Sequence, residues 1–136
     1  MSSPFEAARW SLELPKRWLG EWENDIAVIY APGGMGALQI SEYQKLETEI
    51  TDEDLLESIE EVPQDQATPF SAKGFVGFHY CYSDDATHWK IWLLRDADIM
   101  LFVTYNCNVA DAKVEEQEVI RAVRSITPRK TCPSRG

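Results

Sequence analysis

The chain has 136 residues, 44% of them hydrophobic and 26% charged, which is the size and composition of one folded domain and excludes wholesale disorder. Its 13 basic residues face 23 acidic ones, and a net charge of −10 disfavours the phosphate backbone of a nucleic acid as partner. No apolar run approaches the roughly 20 residues that a membrane helix needs, the N-terminus shows no basic-then-apolar leader, and three cysteines are too few for a disulfide scaffold, so a cytoplasmic protein is expected.

Trp10-Ser-Leu-Glu-Leu14 alternates apolar and polar residues before Pro15 and predicts a first strand. Residues 16–25, with Trp18 and Trp22, read as a link. Ile26-Ala-Val-Ile-Tyr30 predicts a second strand, Pro32-Gly-Gly-Met-Gly36 a turn, and 37–44 the hairpin partner of that strand. Thr51 is the expected N-cap of a helix that Pro63 ends; its first turn carries Asp52, Glu53 and Asp54, and Leu55, Leu56, Ile59 and Val62 form its apolar stripe.

After a loop at 64–70, residues 72–82 are apolar or aromatic on both faces. They predict an interior strand with Phe75 and Val76 buried on opposite sides. Strands at 88–95 and 99–107 follow across short turns, as in an antiparallel meander. A last helix is expected from Asn108 or Asp111 to Ile126, with Ala112, Val119, Ile120, Val123 and Ile126 inward. Glu116 falls so close to that stripe that either the helix starts later or Glu116 meets a cation. Residues 128–136 are expected to be a flexible basic tail and 9–127 the core of a single domain spanning 1–136.

The acidic excess is local. From Leu46 to Ala72 there are nine acids and no Lys or Arg, which leaves 13 basic and 14 acidic residues elsewhere. Glu53, Glu57, Glu60 and Glu61 are expected to form a solvated row opposite the helix stripe and to meet a basic partner. Trp18 and Trp22, outside any predicted strand, are candidate contact residues beside them, because Trp is enriched at binding hot spots.

His79 and Cys81 share a strand face, and Cys107 or His88 would extend them to a metal site. No close-spaced second ligand pair exists, so no metal is expected. No signature of a nucleophilic enzyme surrounds any of the cysteines, and the Gly-rich turn lacks a Walker lysine and a following helix. No catalytic residue and no cofactor are expected.

The order of these elements is similar to that of small bacterial proteins with the PsbP/Mog-like fold. The residues that carry the resemblance are Leu14-Pro15 with Trp18, the hairpin closing in Gly36-Ala-Leu-Gln-Ile-Ser41, and Ile120-Arg-Ala-Val-Arg-Ser-Ile126, over about residues 9–127. The resemblance implies an α+β fold: an antiparallel sheet of about six strands between helices, in an α/β/α sandwich. It also implies a binding or assembly protein without a catalytic site, the family including a small-GTPase partner, photosystem-associated proteins and chaperones of type VI secretion effectors. With the charge asymmetry, it leads to a non-catalytic cytoplasmic protein that binds a basic protein partner, as an immunity protein or effector chaperone does. The competing expectation is a small-molecule or lipid-binding domain with an aromatic-lined pocket.

Overall fold

Three runs of β-branched and aromatic residues build the centre of the molecule. In the computed structural model, which describes residues 3–129, they are β7 (Val76–Ser83), β8 (Thr87–Asp96) and β9 (Ile99–Asn108). The other strands are β1 (Ser3–Glu6), β2 (Trp10–Leu14), β3 (Leu19–Glu23), β4 (Ile26–Tyr30), β5 (Gly36–Gln44), β6 (Thr68–Ser71) and β10 (Thr127–Pro128). Two helices, α1 (Asp52–Glu57) and α2 (Glu116–Arg124), complete an α+β fold. Seven strands form one antiparallel sheet in the order β3-β4-β5-β9-β8-β7-β6, and β1-β2-β10 form a small second sheet.

Each of the six expected strands has a counterpart, but they do not make one sheet of six: β2 belongs to the small sheet, the large sheet has seven strands, and β1, β3, β6 and β10 are additional. β1, β6 and β10 carry Pro4, Pro69 and Pro128, residues that read as breakers but are tolerated on sheet edges. β3 occupies the expected link; its glycine and two glutamates have low strand propensity, and Arg17 and Asn24 at positive φ flank it. β10 also corrects the expected start of the tail, since Thr127 and Pro128 pair with β2 and the Arg129 N–H donates to the Arg9 carbonyl at 2.8 Å. Residues 130–136, including Cys132, lie outside the described residues.

Alternation along β8 feeds two separate cores. Trp92 and Leu94 join Val119, Ala122, Val123 and Ile126 of the α2 segment with Trp10 and Leu12 of β2. Ile91 and Leu93 join Leu55 and Ile59 of the α1 segment. Burying each large apolar side chain of this kind contributes about 1.5–3 kcal/mol. The expected interior strand at 72–82 is corrected in part: β7 begins only at Val76, Phe75 lies fully buried in the turn before it, and Val76, though paired with Ser71 and Arg95, is 40% exposed on the α1 face.

Both helices are shorter than their stripes suggest. Thr51 and Asp54 form a reciprocal capping box, yet α1 stops at Glu57, where Ser58 turns its hydroxyl back to the Leu55 carbonyl. Its last turn has no cation to balance the dipole, and Glu57, Glu60 and Glu61 crowd the negative end. At α2 both alternatives for Glu116 hold: the helix starts at that residue, and its carboxylate meets Lys90 Nζ at 3.3 Å.

The residue before it, Glu115, is 6% exposed and points inward. Its carboxylate accepts the Tyr105 hydroxyl at 2.6 Å and the N–H groups of Met35 and Gly36, each at 3.1 Å. Gly36 is required there, since a Cβ would stand 2.2 Å from the Asn106 carbonyl oxygen. Glu115→Ala strands three donors, and the expected loss is about 3 kcal/mol or more in denaturant unfolding, against about 1–2 kcal/mol for Tyr105→Phe. Equal losses would show that the two backbone donors contribute nothing.

Candidate functional site

The cross-strand register sets the chemistry of each sheet face. On the α2 face Ser83 lies opposite His88, Cys81 opposite Lys90, and His79 opposite Trp92. His88 and Lys90 in turn lie opposite Cys107 and Tyr105 of β9. The register thus gathers every cysteine and histidine that the sequence analysis singled out within the described residues. Among those residues no group of three or more His, Cys, Asp or Glu is placed to hold a metal ion.

Burial disfavours the charged form of both imidazoles, and the bond from Lys90 assigns the tautomer of His88. Lys90 is only 2% exposed, and its ammonium donates to His88 Nε2 at 3.2 Å and to Glu116 at 3.3 Å. His88 must therefore carry its proton on Nδ1, which donates to Ser83 Oγ at 2.8 Å. His79 Nδ1 donates to the Ile91 carbonyl at 3.0 Å, leaving Nε2 to accept from Cys81 Sγ at 3.5 Å, while the ring stacks on Trp92 at 4.7 Å. Burial pushes the His79 pKa down, with Lys90 adding to it against the bond to Ile91. Burial and Lys90 lower His88 as well. Burial raises the Cys81 and Cys107 thiols. A raised thiol beside a lowered imidazole is the reverse of an activated Cys–His pair. Cys81 is an exposed residue and Cys107 a buried one, and both are free thiols.

The opposite face is different. α1 packs over β7 and β8, and among the described residues no other helix lies on that face. Tyr82, Trp89, Asn106, Ala37, Tyr30 and Leu19 form one row straight across six strands. The row beneath it runs Ile91, Thr104, Gln39, Val28 and Glu21. Tyr82, Trp89, Tyr30, Val28 and Phe102 are all part-exposed, and Leu19 is 48% exposed. Tyr82 and Trp89 stack at 6.1 Å, and the Tyr30 hydroxyl donates to Glu21. This bond raises the Tyr30 pKa.

Two acidic walls border the open area. On the far edge Glu21 and Glu23 stand on β3. On the near side is the acidic segment at α1. Lys45 engages Asp54 at 2.9 Å, Arg95 engages Asp52 at 2.8 Å, and Glu61 accepts the Tyr80 hydroxyl at 2.7 Å. Glu53, Glu57 and Glu60 are exposed, with no ion pair among the described residues. The four expected glutamates are all solvated, but they form no single helical row, because Glu60 and Glu61 follow the end of α1. Trp18 is 4% exposed and belongs to the α2-side core, which corrects its expected role as a contact residue. Trp22 is 49% exposed on β3, against Phe5 at 5.4 Å and Trp10 at 6.4 Å.

A groove of about 720 Å³ opens between the end of β2, Lys73 and α2. Lys16, Lys73, Arg121 and Arg124 line it together with Glu13 and Glu118, and it has none of the aromatic lining expected of a lipid pocket. Arg121 and Arg124 occupy the last turn of α2, where cations complement the helix dipole, and Arg124 also covers Phe70 at 4.9 Å. The sequence analysis missed the open face because partnership between strands, and not residue type, decides which alternating residues a helix covers.

No family model matches the sequence, and no curated protein does. Among solved structures, a protein of Bacteroides thetaiotaomicron VPI-5482 superposes on 89% of this chain with a TM-score of 0.66 at 14% identity. This chain spans 45% of that protein's length. LpqN, involved in cell envelope biogenesis of Mycobacterium tuberculosis, superposes on 96% of this chain and 91% of its own, with a TM-score of 0.59 at 12% identity. At these identities the likeness is one of fold. Among the described residues no helix is long and apolar enough to cross a membrane.

The two histidines set an acid limit on stability. Their folded pKa values lie below the ordinary 6.5, so the unfolded chain binds more protons once the pH falls under that value. Stability contributed by His79 and His88 is complete above about pH 6.5 and is lost as the pH falls through their folded values. Asp54 and Asp98, held below the ordinary 3.8 by bonds to Lys45 and Gln44 first, give a second loss in more acid solution. Denaturant midpoints that stay level from pH 7 to below pH 5 in the wild type would contradict this arrangement.

Proposed function

We propose that the protein is a non-catalytic, cytoplasmic binding protein that receives a basic protein partner on the open half of its large sheet. The reading places it with PsbP/Mog-like proteins, as an α/β/α sandwich whose α1 layer covers only part of its face. An immunity or effector-chaperone role fits this reading. One observation carries it: a cross-strand surface of Tyr30, Val28, Phe102, Trp89 and Tyr82 lies open between Glu21 and Glu23 on one side and Glu53, Glu57 and Glu60 on the other. Aromatic side chains supply contact area at low entropic cost, and the flanking charges steer a cationic partner toward them. The Cys–His row supports a non-catalytic reading, since its thiols are raised and its imidazoles lowered in pKa.

Two variants separate the contributions of charge and surface. Replacing Glu53, Glu57, Glu60 and Glu61 by Gln is expected to change stability by less than about 1 kcal/mol. With the partner recovered from the native host, the same change slows association at low salt severalfold and flattens its salt dependence. Val28→Lys with Tyr30→Ser keeps the fold and weakens binding mainly through faster dissociation. If both variants bind as the wild type does, the open face is not the partner site.

A further inference from the structure

The edges of a sheet carry outward N–H and C=O groups that can pair with a strand of another chain. The described residues contain four edge strands: β1 and β10 in the small sheet, β3 and β6 in the large one. Three of them are blocked by proline, with Pro4 in β1, Pro69 in β6 and Pro128 in β10, each lacking the N–H that a further strand would need. β3, with the sequence Leu19-Gly-Glu-Trp-Glu23, has none.

The free groups of β3 can be assigned. Glu23 pairs with Ile26 across a two-residue turn in which Asn24 has φ 56°. In such hairpins the pair flanking the turn exchanges both hydrogen bonds, and bonded and non-bonded pairs alternate from there. Glu23, Glu21 and Leu19 therefore bond inward to β4, and the N–H and C=O of Gly20 and Trp22 point away from the sheet. The side chains divide the same way. Glu21, Glu23 and Leu19 lie on the open face; Gly20 and Trp22 lie on the other, where a Cβ on Gly20 would stand 2.3 Å from the Phe5 ring. Phe5 thus covers the side of this strand, and among the described residues no strand pairs with its outer backbone edge.

The charge pattern selects the occupant. Antiparallel pairing of β3 with a second copy over its full length, centred on Glu21, would set Glu21 against Glu21, and like charges directly opposite destabilise a sheet. A strand with cations at alternate positions meets Glu21 and Glu23 favourably and brings its other face to the half-exposed Trp22.

We propose that β3 is an acceptor edge for a basic, extended segment of the partner protein. That segment extends the large sheet by one strand, with cationic side chains against Glu21 and Glu23 and an apolar one against Trp22. The proposal rests on the partner reading above and adds how contact is made: through the backbone of Gly20 and Trp22 as well as through the open face.

Amide exchange by NMR tests it, with a short peptide alternating valine and lysine as probe and one alternating valine and glutamate as control. The lysine peptide is expected to slow exchange at Gly20 and Trp22 by about tenfold or more, and the control to leave it unchanged. Glu21→Lys combined with Glu23→Lys reverses that preference. If the lysine peptide shifts the Val28 and Tyr30 signals while both amides exchange as before, strand addition is overturned and the open-face reading stands. No change at either place overturns both. Protection of the two amides by dimerisation without peptide assigns the edge to a second copy and overturns the proposal.

Discussion

The buried carboxylate of Glu115 fastens the start of α2 to two neighbouring strands of the large sheet, β5 and β9. It ties the start of α2 to the Tyr105 hydroxyl of β9 and to the backbone N–H groups of Met35 and Gly36 at the start of β5. A carboxylate so little exposed is costly unless its oxygens are bonded, and here three donors converge on it. Local rules would use the residue before a helix as a cap, but the Glu115 side chain makes no bond to its own helix. Tertiary contact has overridden the local preference. Because the α2 stripe of Val119, Ala122, Val123 and Ile126 follows immediately, the placement of Glu115 aligns that stripe with the sheet.

From this anchor the two faces acquire different characters. The α2 face is closed by helix, small sheet and core, and its polar residues are consumed in pairs: Lys90 with Glu116 and His88, His79 with Ile91 and Cys81. Burial along this row lowers the pKa of both imidazoles and raises that of both thiols. The α1 face has only a short helix, and α1 stays short because the acids at its C-terminal end oppose its dipole. The surface over β4, β5 and β9 lies beyond the strands that α1 covers. The acidic segment at α1 also forms one wall of that surface.

Proline has a consistent role at the boundaries. Pro4, Pro69 and Pro128 make strands that cannot be extended, so three of the four described edges are closed to association. β3 relies on Glu21 and Glu23 instead. Charge is a conditional block: it repels an acidic or identical strand and attracts a basic one. The likeness to LpqN and to the Bacteroides protein, each below 15% identity, is one of fold.

Much of the architecture was legible in the sequence. Period-two alternation and short turns located β2, β4, β5, β7, β8 and β9, and the 3.6-residue stripe located α1 and α2, because these patterns are properties of neighbouring residues. The isolated acid beside the α2 stripe correctly announced a cation or a later start. Four edge strands were illegible, since proline, glycine and acids argue against strands locally while a neighbour's backbone can still pair with them. The sequence also ranked Trp18 and Trp22 alike, yet Trp18 is 4% exposed within the α2-side core and Trp22 is 49% exposed on the edge strand β3. Composition determined by itself that the molecule is acidic, single-domain in size and poor in catalytic motifs. Which face stays open, which edge stays free and which carboxylate is buried were decided only in the tertiary structure, because each depends on residues far apart in the chain coming to lie side by side.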